Sequence, residues 1–145
     1  MRALWLAALV AAGSIAAVAG YFAMPRSGAG EQLALGGRLY ADHCASCHGA
    51  ELQGQPRWQV RLPNGRLPAP PHDATGHTWH HADSELFLIT KQGLAALVPG
   101  YESDMPAFEG VLTDPEIEAV LAFIKSGWPE RERAYQRRRT LAVGE

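Results

Sequence analysis

Hydrophobic and polar positions follow different rules in successive stretches of this chain. Residues 3–24, "ALWLAALVAAGSIAAVAGYFAM", are 22 uncharged positions behind Arg2. A helix of that length runs about 33 Å at about 1.5 Å per residue, against a hydrocarbon core of about 30 Å. The stretch is expected to be an N-terminal membrane anchor with its Arg2 end inside. A signal peptide cut near Val18–Gly20 is the alternative. Either way the remainder is exported: to the outer, periplasmic face of the cytoplasmic membrane if anchored, or free in the periplasm if cleaved. "PRSGAG", residues 25–30, reads as a linker. A folded domain is then expected over residues 31–129, with a charged tail over 130–145.

Within that domain the period changes to that of a helix. "EQLALGGRLYADHC" sets Leu35, Leu39 and Cys44 near one helical face, with Gly36 and Gly37 where another backbone can approach closely. "TDPEIEAVLAFIKSGW" is the clearest helix, with Ile117, Val120, Leu121 and Ile124 spaced for a single apolar stripe. Thr113 and Glu116 suit a capping box, Pro115 is tolerated in the first turn, and Gly127 with Pro129 ends the helix. A third helix is expected over Ser84–Gln92, opened by Asp83 or Ser84 and stopped at Gly93. Residues 55–81 hold five prolines in 27 positions and read as one long stiffened loop. A loop that long in so small a domain is usually wrapped around something. Since no run alternates as a strand does, the class is all-α.

Charge narrows the partners. Residues 31–129 carry 6 Lys+Arg and 12 Asp+Glu, a net charge of −6, whereas the tail has 5 Arg and 3 Glu. An acidic domain without a basic stripe argues against nucleic acid. The tail "RERAYQRRR" reads as a solvated helix or a disordered end.

The chemistry concentrates in "CASCH", residues 44–48, which contains both cysteines of the chain. A Cys44–Cys47 disulfide would close a very small loop and stabilise little. Structural zinc takes four ligands at defined spacings, and no second CxxC pair exists. Attachment of a c-type haem suits the spacing: each thiol adds to one vinyl group, and His48 follows directly beneath the iron.

On CxxCH, the downstream Met105–Pro106 and the helices that flank them, residues 33–128 resemble the class I c-type cytochromes. The resemblance implies a helical domain around one haem c, held through Cys44 and Cys47, whose first and last helices cross at Gly36 or Gly37 against Ala122 and Phe123. It also implies His48 as the proximal ligand, its second ring nitrogen donating to a proline-loop carbonyl, for which "PAPP" at Pro68–Pro71 is the matching stretch and Pro70 the favoured residue. Met105, 57 residues past His48, falls where the family has its distal ligand. A thioether there favours ferrous iron and raises the potential.

His72, His77, His80 and His81 stay open to several readings. They could meet the haem propionates or face solvent, bind an external metal such as copper, or, for His80 or His81, ligate the iron. Trp79 is the best propionate partner and Tyr101 a second. With both axial positions filled the iron exchanges one electron and little else, so the expectation is an electron carrier and not an enzyme. It would serve a donor and a terminal oxidase or reductase, with a positive patch on the partner to meet the acidic domain. The alternative is a haem-based sensor, or a copper-linked redox protein using residues 72–81.

Overall fold

A computed structural model describes residues 27–144. The apolar stretch 3–24 lies outside the described residues. In chain order the elements are α1 (Ser27–His43), α2 (Ala45–His48), a 3-10 turn (Thr78–His80), α3 (Asp83–Gln92), a second 3-10 turn (Leu94–Ala96), α4 (Asp114–Ser126) and α5 (Glu130–Val143). No strand occurs among the described residues, and no helix among them is long and apolar enough to cross a membrane. Internal contacts group the chain from Glu31 onward as one compact unit.

The frame is the crossing of α1 and α4. The stripe on α4 buries Ile117, Val120, Leu121 and Ile124 against Tyr40 of α1, Leu86 of α3, Phe108, Leu112 and Trp128. Two helix backbones can meet only where no side chain intervenes. Gly36 is that point, since a methyl group there would overlap the Ala119 carbonyl and press on the Phe123 Cβ. Gly37 lies against the Phe123 ring. The crossing thus uses Phe123 as expected but Ala119 in place of Ala122. Ala119 is wholly buried, whereas Ala122 is only half-buried.

Caps follow local chemistry. At α4 the Glu116 carboxylate accepts from the Thr113 backbone N–H at 2.8 Å and from its hydroxyl at 2.7 Å. Helix α3 begins at Asp83, capped by Ala82 and not by Asp83 or Ser84. The Ala82 N–H is met by Glu85 at 2.8 Å, which frees Asp83 to pair with Lys125 at 2.7 Å.

The C-terminal segment is not a solvated tail. Helix α5 docks on the 3-10 turn at Thr78–His80. It buries Glu132 and Gln136, and Gln136 Nε2 donates to Asp83 Oδ1 at 2.7 Å, to Thr140 Oγ1 at 3.0 Å and to the His81 carbonyl at 3.4 Å.

Candidate haem site

Helix α1 hands over to α2 at Cys44. Its N–H still reaches the Tyr40 carbonyl at 2.9 Å, and its own carbonyl accepts from the N–H groups of Cys47 at 3.1 Å and His48 at 2.9 Å. One helical turn therefore carries both thiols and the imidazole. Both cysteines are free, Cys44 half-buried and Cys47 exposed. Burial pushes the Cys44 thiol up to about 11, with the neighbouring Cys47 adding to the effect.

His48 is buried, and its Nδ1–H donates to the Pro70 carbonyl at 2.9 Å. A carbonyl can only accept, so this bond fixes the tautomer and leaves Nε2 with its lone pair. Burial lowers the pKa of His48, and the Pro70 bond opposes the shift in part.

The proline loop is held in place by backbone bonds. The Gly54 N–H donates to the His48 carbonyl at 2.7 Å, the Gln55 N–H to Ala69 at 2.9 Å, and the N–H groups of His72 and Asp73 to Leu52 at 2.8 and 3.2 Å. Leu52 itself sits in the left-handed region at φ 64°, a conformation that costs a non-glycine residue about 1–2 kcal/mol. Gly54, at φ 66°, lies so close to Pro70 and Pro71 that any side chain would strike their backbone.

His72 does something its sequence neighbours did not suggest. Its ring stacks on His48, with centroids 4.0 Å apart and planes 20° from parallel. Its Nδ1 is hydrogen-bonded with Thr78 Oγ1 at 2.8 Å, and its carbonyl accepts the Trp128 indole N–H at 2.6 Å. Burial above all, then His48 and His77, push its pKa down to about 3. The only signal in the sequence is adjacency to Pro71, which the reading of a single histidine tract obscured.

Met105 lies in the irregular stretch before α4, half-buried and packed against the core, its N–H on Ser103 Oγ at 3.1 Å. Arg66 of the proline loop pairs with Asp104 beside it, and with Glu102 at 3.8 Å. Bonds from the Phe108 N–H to Thr90 and from the Glu109 N–H to Lys91 moor the stretch to the end of α3.

A family model described as Cytochrome c matches residues 33–128, which is more than half of the chain. The chain belongs to the cytochrome c family. Among curated relatives, the FixP subunit of a cbb3-type cytochrome c oxidase from Bradyrhizobium sp. (strain ORS 278) is 29% identical over 97 residues, 67% of this chain and 28% of FixP. Cytochrome c-555 from Prosthecochloris aestuarii is 30% identical over 82 residues, 52% of this chain and 83% of that protein. The chain thus spans well under a third of FixP and most of cytochrome c-555. No solved structure matches. As a class I c-type cytochrome domain, residues 33–128 imply covalently bound haem c.

The cytochrome's own atoms fit such a group. Two buried ring nitrogens, Trp79 Nε1 and His77 Nδ1, have no partner among the described residues. A buried indole N–H without an acceptor is costly and rare, and a propionate supplies what it lacks. Tyr101, the other candidate, is half-buried in a turn closed by its N–H on Val98 at 3.0 Å.

The copper reading fails on geometry. Among the described residues no group of three or more His, Cys, Asp or Glu is placed to hold a metal ion. His72 stacks on His48, and His77 stacks on Trp58 at 5.3 Å. His80 packs against Trp79 and Tyr135, while His81 Nδ1 lies 3.6 Å from Glu85. Of the four imidazoles, His77 and His81 do meet, with centroids 5.6 Å apart, but His72 and His80 pack on other residues and no third ligand joins the pair among the described residues.

Proposed function

We propose that this cytochrome is a single-haem carrier in which Cys44 and Cys47 hold the group covalently, His48 Nε2 is the proximal ligand and Met105 the sixth. The observation that carries the reading is the 2.9 Å bond from His48 Nδ1 to the Pro70 carbonyl, which presents Nε2 from within the CASCH turn. Bound there, haem supplies reversible one-electron exchange. His48 orients, Met105 closes the opposite side to other ligands, and Trp79 donates its indole N–H to a propionate. Support for Met105 is its half-buried place beside the core and the Arg66 pairs and α3 bonds that moor its loop.

The uncharged stretch 3–24 supports an exported chain anchored at the outer face of the cytoplasmic membrane. Such an anchor confines the search for partners to two dimensions. The partners are redox proteins, an electron donor and a terminal oxidase or reductase; similarity to an oxidase subunit supports the latter. The acidic domain fits a partner with a positive patch.

The test is the near-infrared spectrum of the ferric, haem-loaded full chain beside Met105→Ala. The wild type should show the weak charge-transfer band of sulfur on ferric iron, and the variant should lose it and bind carbon monoxide when reduced. A wild type without the band that binds carbon monoxide would replace electron transfer with the sensor reading.

A further inference from the structure

The family match ends at residue 128, so α5 lies outside it. Beside the buried face of α5, Tyr135 is 42% exposed yet reaches the histidine-rich turn. The Tyr135 ring meets Trp79 edge-on, with centroids 5.3 Å apart and planes at 90°, and lies 5.5 Å from His80. His80 itself is packed at 3.8 Å on the other contact of Trp79. The helix cannot slide away from this contact, because Gln136 bonds to Asp83 and the Asp83 N–H donates to Thr140 at 3.1 Å. Arg139 adds a pair to Glu85 at 3.1 Å. Trp79 thus has its ring held from α5 while its buried N–H has no acceptor among the described residues.

We propose that Tyr135 is a positioning residue for haem: through edge contact with Trp79 it keeps that indole N–H directed at a propionate and dry. The inference rests on the reading of Trp79 as a propionate donor. Edge-to-face contact is directional, so it restrains the indole's orientation beyond what apolar burial alone would do. A propionate that loses its donor and gains water leaves more negative charge near the iron and favours the ferric state. Release of Trp79 therefore lowers the reduction potential.

The experiment uses the haem-loaded full chain with Tyr135→Ala, Tyr135→Leu, Tyr135→Phe, Trp79→Phe and the Trp79→Phe/Tyr135→Ala pair. The readouts are the midpoint potential and hydrogen exchange of the Trp79 indole N–H in the ferrous protein, with thermal melting as a check of folding. Tyr135→Ala should lower the potential and speed indole exchange at least about tenfold, the size of an effect worth about 1.4 kcal/mol. Tyr135→Leu, which keeps apolar volume without the aromatic edge, should shift both the same way, and Tyr135→Phe should shift neither. Trp79→Phe should lower the potential, and adding Tyr135→Ala to it should change nothing more. An unchanged potential in Trp79→Phe sinks the propionate reading itself. A drop in Trp79→Phe with none in Tyr135→Ala and Tyr135→Leu, or an equal added drop in the double variant, leaves that reading standing and overturns the role of Tyr135.

Discussion

The crossing of α1 and α4 and the docking of α5 on the histidine-rich turn solve the same problem by opposite means. At the crossing, Gly36 lets two backbones touch, and the contact around it is apolar from Tyr40 to Trp128. At the α5 dock the buried groups are Glu132 and Gln136, and Gln136 is held by hydrogen bonds to Asp83, Thr140 and the His81 carbonyl. Close packing is unforgiving of volume, because backbone cannot rotate out of the way as a side chain can. A hydrogen-bonded dock spreads its hold over several replaceable contacts, each worth about 1 kcal/mol. The two regions should therefore respond very differently to single changes.

The largest expected effect is at the crossing. Gly36→Val should cost more than about 3 kcal/mol, at or beyond the upper end for overpacking, because the first added carbon already overlaps the Ala119 carbonyl. Gly37→Ala is the internal control. Its new methyl would meet only the edge of the Phe123 ring at 3.3 Å, so the change should stay within about 1 kcal/mol. Denaturant unfolding of the two haem-loaded variants decides it, and equal losses would mean that the crossing is not where stability is concentrated.

How much of this was legible beforehand follows the same division. The stripe of α4, its Thr113–Glu116 cap and the suitability of Gly36 for a crossing are periodic or local features, so they can be read from residue spacing. Of the expected crossing of Gly36 or Gly37 against Ala122 and Phe123, Phe123 stands and Ala119 replaces Ala122, because a helix stripe does not fix where along it another helix crosses. The α5 dock was invisible to periodicity, since its buried face is Glu132 and Gln136 and no apolar stripe marks it. The histidines misled for a further reason. Spacing in sequence suggested a joint site, yet a 3-10 turn points successive side chains about 120° apart. The approach of Pro70 to His48 was legible only through the family resemblance, since it is a side-chain bond across 22 residues whose loop is held by backbone bonds that no local pattern marks.

A middle-sized effect tests the seam where the two regions meet, at His72. Its folded pKa of about 3 lies below the ordinary histidine value of about 6.5, so the unfolded chain binds the proton more readily. The stability this group contributes is present above about pH 6.5 and is lost as pH falls from there towards about 3. Between pH 6.5 and 4.5 the loss should be on the order of 2 kcal/mol, taking about 1.4 kcal/mol per unit with allowance for other groups. The comparison of wild type with His72→Gln isolates the share of His72 from that of other groups. The variant's unfolding free energy should slope less steeply with pH across this window. Parallel slopes would show that His72 is not held neutral in the folded cytochrome.

The smallest expected effect is at the rim of the α5 dock. Arg139 pairs with Glu85 at 3.1 Å, but the Arg139 side chain is 45% exposed and the pair stands in high dielectric. The Glu85 carboxyl lies below the usual carboxylate range first because of the Ala82 N–H and only afterwards because of Arg139. Arg139→Ala therefore leaves Glu85 ionised and the α3 cap intact. The loss should be under about 1 kcal/mol and should vanish in about 1 M salt, where charges are screened beyond about 3 Å. Unfolding of both proteins at low and high salt measures it directly. A loss above about 2 kcal/mol that survives salt would mean that α5 is held by its rim charges, and the contrast with the crossing would narrow to one of residue type alone.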